Sequence, residues 1–167
     1  MLKCYDLKEG RIKSITPRQR YLSPSVDKNG KVAAVSRTTV DGKNQLVLVE
    51  LEDGKELFAF QVPDNAFIKE LTFTDQDEVV AVAVTDAGIS LLQFTPSSGQ
   101  WEELLSTASV NITSPVWKDG RIYFESGANG TNNLYCLDPA DHQVYRLTCA
   151  RFGAFDPSLT HSGNRLF

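Results

Sequence analysis

Leu46-Val47-Leu48-Val49-Glu50-Leu51-Glu52-Asp53-Gly54-Lys55-Glu56-Leu57-Phe58 decides the fold. It holds an apolar strand, an acidic turn closed by glycine, and the start of a second strand. The same phrase occurs three more times, over 2–15, 91–105 and 134–147, with starts 44, 45 and 43 residues apart. A period of ~40–45 residues made wholly of strands predicts a β-propeller blade.

Outward from this stretch the full unit becomes readable. Leu22–Val26, Lys31–Ser36, Gln45–Leu51 and Lys55–Val62 are four expected strands separated by Asp27–Gly30, Val40–Asn44 and Glu52–Gly54. The Asn29-Gly30 pair predicts a tight hairpin with two successive positive φ angles. A second unit reads Ile68–Phe73, Val79–Val84, Ile89–Phe94 and Trp101–Leu105. A third reads Pro115–Trp117, Arg121–Glu125, Leu134–Leu137 and Val144–Leu147. The run Val79–Val84 is apolar throughout, as a strand covered on both faces requires.

The ends supply half units. Residues 1–16 give the last two strands of a blade and 151–167 the first two. The expected organisation is one all-β propeller, or an arc of one. It divides into a half blade (1–16), blades at 17–63, 64–108 and 109–150, and a half blade (151–167). Both ends read as cut from a longer parent, and open strand edges predict self-association.

Composition bounds the partners. The 167 residues carry 17 basic and 21 acidic side chains, for a net charge of −4, with 41% hydrophobic content. That is ordinary globular composition, and it argues against a nucleic-acid partner, which needs a concentrated basic face. No apolar run is long enough to span a membrane as a helix, and Met1–Asp6 lacks a signal-peptide core. The three cysteines show no metal-ligand spacing. Cys4 and Cys136 hold equivalent repeat positions and are expected to be small buried side chains.

Catalytic signals are missing from the pattern. No Gly-x-Ser-x-Gly elbow, zinc motif, phosphate loop or dinucleotide fingerprint is present. His142 and His161 are expected to be solvated turn residues. The acidic turn Asp75, Asp77 and Glu78 lacks the glycine and distal glutamate of a calcium loop, so no metal or cofactor is expected. Asn111-Ile112-Thr113 and Asn129-Gly130-Thr131 match the glycan-acceptor pattern. Trp101, Trp117, Tyr123, Phe124, Tyr135 and Phe155 are expected mostly in the core. The loops joining blades, at Arg18–Arg20, Asp64–Phe67, Ser109–Thr113 and Arg151–Phe155, are expected on one face. Arg20, Asn65, Arg151 and Phe152 are the candidate contact residues there.

The first strands share a further element. Ser23-Pro24, Ser114-Pro115 and Asp156-Pro157 each precede a glycine turn, at Gly30, Gly120 and Gly163. With Gly130–Tyr135, Arg146-Leu147-Thr148 and Gly153–Ser158, this cadence resembles the TolB-like propeller group. That group occurs in tricorn-type proteases, in prolyl-oligopeptidase-like peptidases and in large exported proteins of Bacteroidetes type. The second unit departs from it, with Glu70-Leu71-Thr72 at the Ser-Pro position. The resemblance implies a non-catalytic interaction domain of a larger exported or envelope-associated protein, periplasmic or outer-membrane-associated or extracellular, that binds a protein, a peptide or another ligand through its inter-blade loops. The alternative it implies is the gating propeller of a serine peptidase whose catalytic domain is elsewhere.

Overall fold

The computed structural model describes residues 1–160, 162 and 165–167, so His161 and Gly163 lie outside the described residues. The strands are β1 (Lys3–Asp6), β2 (Arg11–Ser14), β3 (Tyr21–Val26), β4 (Val32–Thr38), β5 (Asn44–Glu50), β6 (Glu56–Gln61) and β7 (Phe67–Phe73). They continue with β8 (Val79–Thr85), β9 (Gly88–Thr95), β10 (Gln100–Thr107), β11 (Ile112–Lys118), β12 (Arg121–Ser126), β13 (Asn133–Asp138) and β14 (Gln143–Arg146). One 3₁₀ turn, Pro63–Asn65, links β6 to β7.

Each sheet is an antiparallel meander. β3–β6, β7–β10 and β11–β14 form four-stranded blades 1, 2 and 3, and β1–β2 form a two-stranded half blade. After blade 3 a hairpin begins with the Leu159–Leu166 bridge and paired Ser158–Phe167 backbone bonds. The architecture is therefore three whole blades with a half blade before them and, among the described residues, the start of a hairpin after them. First strands β3, β7 and β11 touch one another in sequence and line the axis.

Strand β8 shows why the blades stack. Its alternate residues serve two different seams. Val79, Ala81 and Ala83 face blade 1 and pack with Ala34, Leu46, Leu48, Ile68 and Phe94. Val80 and Val82 face blade 3 and pack with Leu91, Ile112, Ile122, Phe124 and Leu137. All five are buried. Burying a valine fully is worth about 1.5–3 kcal/mol, so this strand alone contributes heavily to both seams. Phe60, Phe94 and Trp101 extend the first seam outward, with ring centroids 4.5 and 4.7 Å apart.

The Ser-Pro element marks a bulge in the inner strand. Ser23, Ser114 and Asp156 adopt φ of 49°, 52° and 50° directly before proline. The pairing of β3 and β11 with their neighbours shifts register at the two serines. The kinked positions then bond across seams. Ser23 Oγ donates to the Lys69 carbonyl, and the Phe73 amide donates to Ser25 Oγ at 3.2 Å. Glu70, standing where the other units have the serine or aspartate, accepts from the Ser114 amide. Ser114 Oγ donates to Asp156 at 3.0 Å. Glu125, nearly buried, accepts from Asn132 Nδ2 at 2.8 Å and the Asp156 amide at 3.3 Å. The departure at Glu70 thus preserves the blade-to-blade link by other chemistry.

Several expectations need correction. Cys136 is buried but Cys4 is exposed. Cys4 opens onto a cleft of about 660 Å³ between the β1–β2 hairpin and blade 1. The Asp27–Gly30 turn has positive φ only at Gly30. The Asp27 carboxylate organises it instead, accepting from the amides of Asn29, Lys31 and Val32. Burial works against that ionised carboxylate, but these backbone donors outweigh it and hold its pKa below the usual range. Phe155 is exposed rather than packed. His142 is not merely solvated: Nδ1 lies 3.1 Å from the Leu104 carbonyl and Nε2 3.7 Å from Glu102.

Candidate functional site

In a meander blade the inter-blade links emerge at the same end as the turn between second and third strands. The hydrogen bonds confirm this end. Asn65, in the link to blade 2, accepts from the Asn44 amide at 2.7 Å and donates to the Gly42 carbonyl at 3.0 Å. The Ala154 amide, in the link leaving blade 3, donates to the Asn132 carbonyl at 2.9 Å. The Asn133 side chain accepts from Thr148 and Ala150 of that same link. Links and turns therefore form one tied loop face.

Two clefts open on this face at equivalent places in the repeat. Each is bounded by the link entering a blade and by that blade's own turn between second and third strands. The first, about 470 Å³, is lined by Arg18, Gln19 and Arg20 from the link and by Arg37–Val40. The second, about 310 Å³, is lined by Pro63, Asp64 and Ala66, by Thr85, Ala87 and Gly88, and by Trp101 and Glu103 from the outer strand.

Their electrostatics are opposite. In the first cleft Arg37 is fixed: its guanidinium meets Glu56 at 2.7 Å and Gln45 Oε1 at 3.0 and 3.2 Å. Tyr21 donates its hydroxyl to the same Glu56. Burial, then the Glu56 hydrogen bond and charge, push Tyr21 up to about 12. Burial alone would raise Glu56, but its bonds to Tyr21 and Arg37 hold it below the usual carboxylate range. Arg18 and Arg20 are exposed, and among the described residues no carboxylate lies within ion-pair distance of either. In the second cleft Glu103 accepts from Ser90 Oγ at 2.9 Å, and Ser90 lies 3.2 Å from Ser106. The Trp101 indole N–H donates to the Gln61 carbonyl at 3.0 Å, which fixes the ring as a wall.

The candidate residues fall in different settings. Arg20 lies in the first cleft. Asn65 spends its side chain on the neighbouring turn. Arg151 and Phe152 form a separate feature on the link leaving blade 3, with the guanidinium 5.2 Å from the ring centroid and Phe152 85% exposed. Arg18, Val40, Trp101 and Glu103 belong to the same face; by sequence Arg18 falls in a blade-joining loop and Trp101 among the aromatics expected mostly in the core, and none of the four is a candidate contact residue. Aligning the turns between second and third strands across repeats finds Val40, while Arg18 lies in the link and Trp101 and Glu103 in the outer strand, brought to the clefts by the fold. The acidic turn serves neighbouring groups: Asp75 accepts from Trp117 Nε1 at 3.1 Å, and Glu78 accepts from Gln93 and Thr95. Among the described residues no three His, Cys, Asp or Glu side chains are grouped to hold a metal, and no helix is long and apolar enough to cross a membrane.

No protein-family model matches the sequence, and no curated protein matches it. Solved structures do match its shape. TolB from Acinetobacter baumannii superposes with a TM-score of 0.76 at 17% identity, over 98% of this chain and 41% of its own. A TolB candidate from Agrobacterium tumefaciens gives 0.71 at 17% identity, over 90% of this chain and 55% of its own. Dipeptidyl peptidase 4 of Porphyromonas gingivalis gives 0.64 at 13% identity, over 95% of this chain and 31% of its own. The chain thus spans about half or less of each of these three structures. Its fold is that of the TolB-like propeller, as the Ser-Pro cadence of the sequence implies.

Proposed function

We propose that this chain is a non-catalytic interaction domain of a larger exported or envelope-associated protein. It binds a polypeptide through the loop face. One observation carries the reading: that face combines charged clefts with the projecting Arg151–Phe152 stack, an exposed aromatic–arginine pair of the kind enriched at binding hot spots. The TolB likeness supports a location in the periplasm or at the outer membrane.

The test is selection from a random-peptide display library on the purified domain, followed by affinity measurement. The expected result is binders that lose about tenfold or more in affinity on Arg151→Glu, with an unchanged circular dichroism spectrum. A library yielding no binders, or binders indifferent to every loop-face substitution, would sink the proposal. A second reading, the gating propeller of a serine peptidase, is favoured by the likeness to dipeptidyl peptidase 4. A Ser/Asp/His hydrolase domain in the parent reading frame decides for it.

A further inference from the structure

We infer that the cleft between the link at Arg18–Arg20 and the turn at Thr38–Val40 is the seat of an acidic polypeptide segment, with its carboxylates on Arg18 and Arg20 and an apolar side chain against Val40. The inference rests on the interaction reading above and names the chemistry of the partner.

The cleft carries positive charge that no carboxylate of the described residues neutralises. The chain carries more acid than base, yet Arg18 and Arg20 face a shared cleft with no carboxylate in reach among the described residues. The third arginine on the wall is the contrast. Arg37 is already neutralised by Glu56 and braced by Gln45, so it stiffens the cleft without competing for the ligand. Guanidinium groups pair with carboxylates in planar, two-bond geometry, and two of them one residue apart on a link suit neighbouring acidic side chains.

The apolar lip selects among anions. Val40 stands at the tip of its turn, fully exposed, beside the arginines. A nucleic-acid backbone has no use for it and needs a longer basic stripe than two arginines in an acidic domain. A peptide that mixes glutamate or aspartate with one aliphatic side chain satisfies both wall and lip. The sister cleft at the next blade supplies an internal control. It has the same position in the repeat but presents Asp64 from its link and Glu103 from its outer strand, so it repels the same ligand.

The test uses the whole chain and a short fluorescent peptide of glutamates around one leucine, titrated by anisotropy. The expected result is saturable binding that weakens about tenfold in Arg18→Ala/Arg20→Ala and falls with added salt. Arg20→Lys, which keeps the charge but loses the two-bond geometry, binds with an affinity between that of the unsubstituted chain and that of the double variant. Lys55→Gln, which removes a cation at the opposite end of the blade, leaves it unchanged. A lysine version of the peptide does not bind. Absence of saturation, equal affinity in the double arginine variant, or displacement by equimolar inorganic phosphate or single-stranded DNA would overturn the inference. If display still selects peptides that depend on Arg151, the interaction reading stands and only this assignment falls.

Discussion

Strands β1 and β5 occupy the same place in the repeat and have opposite surroundings. Val47, Val49 and Leu48 of β5 are buried, and their counterparts Lys3, Tyr5 and Cys4 of β1 are exposed. The strand geometry is the same in both. Blade 1 is covered by blade 2 on one side and by the β1–β2 hairpin on the other, where Leu2 packs against Val35, Val47 and Val49, whereas β1 among the described residues has a neighbouring sheet on one side only, with a cleft between them. Burial in this fold is therefore a property of the stack, conferred by neighbours.

Substitutions at matched positions test that contrast. Val47→Asp places an unpaired charge in a doubly covered strand, at a cost of several kcal/mol, on the order of total domain stability. Loss of the cooperative thermal transition is expected, while Lys3→Asp leaves it in place. Equal transitions in the two variants would erase the distinction between β1 and β5.

The glycines of the two corresponding turns sharpen it. Both have positive φ, 63° at Gly10 and 74° at Gly54. A Cβ on Gly54 meets the Ile15 carbonyl oxygen at 1.9 Å, whereas one on Gly10 meets only the Tyr5 hydroxyl at 3.8 Å. Gly10→Ala is expected to cost about 1–2 kcal/mol from backbone strain alone. Gly54→Ala costs more, because the link from the half blade must move. Urea midpoints of the two variants measure the difference.

The inner-strand bond Ser114–Asp156 is a smaller test, at the opposite end of the arc. Ser114→Ala removes one exposed hydrogen bond and is expected to cost about 0.5–1.5 kcal/mol in urea unfolding. The seam between β1–β2 and blade 1 also titrates. Tyr21 has its pKa raised to about 12 in the folded chain, so its contribution is full below pH 10 and is lost as pH climbs from 10 towards 12. Glu56 is depressed, so its contribution is present at neutral pH and disappears as pH drops below the ordinary carboxylate value. Tyr21→Phe should flatten the alkaline decline in melting temperature between those limits, a modest effect for a partly exposed group.

The repeat was legible because its physics is local. Strand alternation, acidic glycine turns and proline at the inner strand all register within a few residues. So did the side-by-side gathering of the links. The environment of Cys4 was not legible, since equivalence in the repeat carries no information about which units have neighbours. The Asp27 turn misled because an Asn-Gly pair admits two turn types, and the choice was made by a carboxylate two residues earlier bonding three amides. Asn65 looked like a free polar loop residue. Its left-handed backbone and its bonds to Gly42 and Asn44 depend on a turn 21 to 23 residues away. The clefts themselves need two segments to be brought together, and only the fold does that.

Four of the cross-seam bonds span similar distances along the chain: 40 residues from Trp101 to Gln61, 42 from Ser114 to Asp156, 46 from Ser23 to Lys69 and 48 from Phe73 to Ser25. Each blade therefore asks only for the one synthesised just before it. Within the three whole blades, a nascent chain leaving the ribosome or a translocation pore can settle one sheet at a time.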